Sequence, residues 1–158
     1  MRKLPSKLFP FEFNGESDEG FYDIEVSGFE EPISIYLGSD TVQSDEALKN
    51  AANFFDRIHE WDAYCKKLFL TAHEELNDNT VIDYLYFFVE EYPEIFNHDK
   101  PNELSLKEKI ESLYITGMAS HNKGKNQILV VDFTLEGEQL LSVSFNDKSD
   151  FNNIAWES

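Results

Sequence analysis

The sequence contains a single cysteine, Cys65, so no intramolecular disulfide can form and no second thiolate is present to complete a soft-metal site. Basic residues are scarce as well: 13 Lys and Arg stand against 31 Asp and Glu, for a net charge of −18. So anionic a chain repels the phosphates of DNA and RNA and the headgroups of anionic lipids, which disfavours nucleic-acid and membrane-surface roles. Glycine is thin, with seven in 158 residues. There is no G-x-x-x-x-G-K phosphate loop and no G-x-S-x-G elbow for a nucleophilic serine. Long apolar runs are missing too. The longest, Tyr84-Leu85-Tyr86-Phe87-Phe88-Val89, ends at Glu90-Glu91, far short of the ~18 residues a membrane helix needs. The opening Met1-Arg2-Lys3-Leu4-Pro5 is followed by no apolar run of signal-peptide length, so a cytoplasmic location is expected.

What is plentiful is aromatic and acidic. Fourteen Phe and seven Tyr, in a chain that is 41% apolar, are ample for a core. A chain of this length hides roughly 70% of its extended surface on folding. Disordered acidic chains are poor in aromatics, so the charge belongs to the surface of a folded domain. It is also blocked along the sequence. Residues 8–48 contain no Lys or Arg and eleven acids, and residues 68–99 contain none and eight acids.

Residues 1–20, with two prolines and the polar run 14–20, are expected to form an extended arm ahead of a single domain over 21–158. Tyr22, Ile24 and Val26, then Ile33, Ile35 and Leu37, alternate with the period of strands, and 27–32 suits a hairpin turn. Ser44 before Asp45-Glu46 marks a helix start, since its oxygen can accept an orphan N–H and the acids sit at the positive end of the dipole. Apolar residues then recur at helical spacing to Leu76. One helix over 44–76 would run about 50 Å, longer than the ~40 Å width of such a domain, so a break is expected at 59–62. A third helix follows, with Val81, Ile82, Leu85, Phe88, Val89 and Tyr92 expected inward, and Pro93 stops it. Ser105 and Glu108 have capping-box spacing for a short fourth helix. Residues 114–120, 127–135 and 139–146 read as a meander of strands, with 154–156 closing an edge. The expected fold is α+β: an antiparallel sheet, built from an N-terminal hairpin and a C-terminal three-strand meander, with three or four helices on one face.

Three segments carry a resemblance: 127–135 (QILVVDFTL), 139–145 (QLLSVSF) and the ending IAWES at 154–158. Together they resemble the C-terminal hairpin and "ES" finish of a family of small acidic bacterial domains of unknown function, and the helices around 54–76 and 81–92 are similar to that family's helical insert. The resemblance implies a stand-alone cytosolic domain without assigned catalytic residues. Small acidic proteins of this kind look like the immunity partners of bacterial toxins.

The candidate chemistry is sparse. His59-Glu60 and His73-Glu74-Glu75 place imidazole beside carboxylate, which is metal-ligand material. The two histidines are fourteen residues apart, about 21 Å along a continuous helix, and neither forms the i, i+4 pair of a metallohydrolase. Solvated or capping histidine is the ordinary reading. Cys65, among Trp61, Tyr64, Leu68 and Phe69, reads as a buried structural thiol despite Lys66 and Lys67 beside it. Residues 146–153 offer hard oxygens but lack the central Gly and closing Glu of a calcium loop, and read as an Asx-rich turn.

No cofactor or metal is expected, and the favoured function is a non-catalytic module that binds a basic protein, plausibly an immunity protein neutralising a basic toxin. Exposed aromatics ringed by carboxylates suit such a partner, which nominates Glu16, Asp18, Glu19, Asp23, Glu30 and Glu31 together with Tyr86, Phe87, Glu90 and Glu91. Two other readings stand beside it. One is a hydrolase or metal-dependent enzyme using Asp or Glu with His59 or His73, and the other is a self-associating structural domain joined through the third helix or an edge strand.

Overall fold

The structure, a computed structural model, describes residues 2–9, 12–13 and 20–158, and of residue 21 the backbone alone. The chain is α+β, and its described residues form five α-helices, a six-stranded sheet and a separate two-stranded pairing. The pairing joins β1 (Arg2–Lys3) to β2 (Glu12–Phe13). The sheet holds β3 (Gly20–Ile24), β4 (Ile33–Leu37), β5 (Tyr114–Lys123), β6 (Asn126–Thr134), β7 (Leu140–Phe145) and β8 (Phe151–Glu157), adjacent in chain order.

Four of the five neighbouring pairs are joined by short connections and are antiparallel; β4 and β5 are parallel. The reason is the connection. All the helices lie between these two strands, so the chain leaves one end of β4 and must return to the opposite end to start β5. The meander also has four strands instead of three, because 151–157 pairs along its whole length with β7. At the β5–β6 hairpin, Lys123 pairs with Asn126 across a two-residue turn. Gly124 takes φ +64° there, the conformation a primed turn demands at its first central position.

The helices are α1 (Ser39–Val42), α2 (Asp45–Phe55), α3 (Ile58–Glu75), α4 (Thr80–Glu91) and α5 (Leu106–Glu111). Ser44 caps α2 by accepting from the Ala47 N–H, and the capping box of α5 is complete, with Ser105 and Glu108 each bonded to the other's backbone. The break between α2 and α3 falls at residues 56–57, earlier than expected. Asp56 turns away there to accept from the Ser6 hydroxyl and from the N–H groups of Lys7 and Leu8. On the next turn the Trp61 indole N–H donates to the Phe54 carbonyl at 2.9 Å.

One core joins the helices to the inward side chains of the sheet, with Phe54, Phe55, Phe69, Phe88, Phe133 and Phe145 all essentially inaccessible. Three described residues of the segment expected to be an extended arm belong to it. Leu4, Phe9 and Phe13 are fully buried, and Phe9 meets Phe55 edge to face. In α4 the inward face is rotated from the expected one: Tyr84 is buried, whereas Ile82 and Tyr92 are exposed. Tyr84 can enter because its hydroxyl is satisfied, donating to the Gln139 carbonyl and accepting from the Leu135 N–H. No helix among the described residues is long and apolar enough to cross a membrane.

Candidate functional site

Because side chains alternate along a strand, the sheet has two faces. Ile33, Ile35, Leu129, Val131, Leu141 and Val143 point into the core beneath the helices. The residues between them point the other way, and this second face forms an open concavity of about 710 Å³ that spans β4 to β8. Its lining is unusual for small side chains on four strands: Ser34 on β4, Gly117 and Ala119 on β5, Ser142 and Ser144 on β7, Ala155 on β8. Gly117 has a reason to be glycine. It lies at the irregularity in β5 where the register with β6 shifts, and a Cβ there would sit 2.8 Å from the Ser34 carbonyl oxygen.

Bulk on this face comes from Tyr36 and from Ile128, Val130 and Asp132 of β6. Asp132 is the one carboxylate in the middle strands. It pairs across β5 with Gly117 and across β7 with Ser142, whose hydroxyl donates to Asp132 Oδ1. Burial low on the sheet pushes the Asp132 carboxyl up to about 6; the Ser142 bond works against this, and the nearby charge of Glu157 adds to it. Charge is divided along the concavity. His121 and Lys123 lie toward the β5–β6 hairpin, and Glu138 and Glu157 lie beyond Asp132 at the other end.

The residues nominated from the sequence do not converge. Glu16, Asp18 and Glu19 lie outside the described residues. Asp23 is exposed on β3 at one edge of the sheet, and Glu30 and Glu31 are exposed on the turn beside it. Tyr86, 64% exposed, and Glu90 and Glu91 belong to α4, which packs against β8 at the opposite edge. Phe87 is half-buried against Trp156, with ring centroids 5.3 Å apart, and is partly committed to packing. The nominated acids that are described thus lie at opposite edges of the sheet, Asp23, Glu30 and Glu31 at one and Glu90 and Glu91 at the other.

The histidines are also apart. His59 packs on Phe29, ring centroids 5.1 Å apart, near the start of α3, and His73 bonds Asn79 near its end. Among the described residues no three His, Cys, Asp or Glu side chains are grouped to hold a metal ion. Cys65 is fully buried, and its thiol is pushed far up by burial and by Asp62. In the 146–153 loop, Asn146 Oδ1 accepts from the N–H groups of Lys148 and Asp150, which makes it a turn-forming side chain.

Asp132, Ser142, Gly117 and Tyr36 escaped sequence reasoning. One signal was present: a lone acid inside the apolar run Val130-Val131-Asp132-Phe133, at an outward position of a strand whose partners on that face are small. Compared with known protein families, curated proteins and solved structures, the chain matches none.

Proposed function

We propose that this chain is a non-catalytic binding module for a basic protein, and that the open face of its sheet is the contact surface. The observation that carries the reading is that concavity: an open space of about 710 Å³ on the outer face of the sheet, in a chain of net charge −18, lined by small side chains on four strands with Asp132 at its centre. An antiparallel sheet with one face on the core can leave the other to solvent, but solvated faces ordinarily carry long polar side chains. Ser34, Ala119, Ser144 and Ala155 leave room for a partner's side chains instead. The surrounding negative charge speeds the approach of a cationic protein and selects against anionic ones. Neutralisation of a basic toxin, in the manner of an immunity protein, is the form of this function that fits a small acidic domain best.

The test uses immobilised chain and cytosol of the source cells, with retained proteins identified and their affinity measured. A basic protein should be retained, its affinity should fall as salt rises, and Ser144→Arg or Ala155→Arg on the open face should abolish binding. Glu91→Lys on α4 should leave most of it. Absence of a basic partner, or retention that ignores the open-face substitutions, would defeat the proposal.

A further inference from the structure

The row of residues that crosses the sheet at Asp132 is stripped of side-chain bulk. Ser34, Gly117, Asp132, Ser142 and Ala155 are consecutive cross-strand neighbours on β4 to β8. Five strands at the usual spacing make this row about 19 Å long, so the carboxylate stands midway along a transverse trough. A short extended segment fits its length, roughly six residues at about 3.3 Å each.

Among the described residues the carboxylate in the trough has no countercharge. Among the described residues the Ser142 hydroxyl is the hydrogen-bond partner of Asp132, taking Oδ1, and no Lys or Arg forms an ion pair with it. His121 and Lys123 are four and six residues along β5 from Gly117, about 13 and 20 Å away by strand rise. The charged groups on the near side, Glu157 of β8 and Glu138 of the β6–β7 turn, are both acids. A half-buried carboxylate in such surroundings is best relieved by a cation brought from outside. A guanidinium suits it better than an ammonium, because it sheds water more readily and can lie flat over Gly117, the neighbour without a side chain, while its fork meets the carboxylate.

We propose that the open face recognises its basic partner through one arginine on an extended segment, seated across the strands with its guanidinium on Asp132 and with Ser142 orienting the carboxylate. This rests on the open face being the docking surface, and makes Asp132 its specificity-determining residue. The competing occupant, a second copy of this chain, would bring another net charge of −18 to the same surface.

The probe is a seven-residue peptide of alternating serine and valine with one central arginine, titrated into the isotopically labelled full chain and followed by amide chemical shifts. Its twin carries citrulline, which keeps the shape and removes the charge. Expected are shifts centred on Gly117, Asp132 and Ser142, and about tenfold or greater weakening both for the citrulline peptide and for Asp132→Asn. Ser142→Ala, which leaves the charge in place, should weaken binding by less. Because the Asp132 carboxyl is raised to about 6, affinity of the unaltered chain should also fall about tenfold from pH 7 to pH 5. The Asn variant should not show that fall, although it retains His121, Lys123, Glu138 and Glu157. Shifts confined to Glu30 and Glu31 or to Glu90 and Glu91, undiminished binding by Asp132→Asn, or no shifts at millimolar peptide would overturn the proposal. Equal binding of the arginine and citrulline peptides at the trough would remove the role of Asp132 and still leave the open face as a docking surface.

Discussion

Asp132 costs the fold stability. Its carboxyl is raised from the ordinary 3.8 to about 6, so the folded state holds the proton more tightly than the unfolded chain does. Below pH 4 both states are protonated and nothing is lost; between pH 4 and pH 6 the penalty grows; above that it is full, on the order of 2–3 kcal/mol. Asp132→Asn should therefore raise the urea midpoint at pH 7.5, and the gain over the unaltered chain should shrink to nothing as the pH is lowered to 4. A gain that persists at pH 4 would mean that something other than ionisation is relieved. On the adjacent strand its cross-strand partner Gly117 makes a different demand. Gly117→Ala places a methyl against the Ser34 carbonyl, so β4 and β5 must part slightly, and a loss of about 1–3 kcal/mol is expected in the same denaturation experiment.

Among the elements, the junction of α2 with α3 is tied to the N-terminal segment through one side chain. Asp56 accepts from Ser6, Lys7 and Leu8, and Ser6 in turn accepts from the Phe9 N–H. Asp56→Ala should cost about 2–4 kcal/mol, from several charge-assisted bonds lost together. Amide exchange should then quicken at Lys7, Leu8 and Phe9 while the amides of β6 stay protected; uniform loss of protection would show that the segment does not open separately. These ties explain what the sequence could and could not disclose. Helix starts were legible because caps are local: Ser44 and Ser105 need only the residues three positions on. The position of the α2–α3 break, the burial of Tyr84 in place of Ile82 and the packing of Leu4 and Phe9 were not, because each depends on a partner 46 or more residues away or on the core as a whole. The same holds for the candidate site. Alternation located the strands of the meander, but the trough exists only because β4 lies beside β5 and aligns Ser34 with Gly117.

At the scale of the molecule, an excess of 18 negative charges repels itself. Only four ion pairs are formed among the described residues, Arg2 with Asp45, Arg57 with Glu60, Lys66 with Asp62 and Lys100 with Glu103, and exposed pairs of this kind add little. Raising the salt concentration from about 20 to 300 mM should therefore increase the melting temperature, as screening shortens the reach of the repulsion; a decrease would mean that attractive pairs dominate. The acids of the β3–β4 hairpin and those of α4 lie at opposite edges, so these two groups do not form one acidic front. Between those edges, the parallel pairing of β4 with β5 has a kinetic consequence. Strands β5 to β8 are joined by short turns and can zip together from local contacts, whereas β4 reaches β5 only after the chain of residues 38–113 has been gathered, a closure that local pairing does not need. The hairpin should dock last and detach first. Since Ser34 and Tyr36 form one wall of the trough and the meander forms its floor and far wall, a partner lying across them would bridge the late-docking unit to the early one, and its affinity would reappear as slowed exchange in β4.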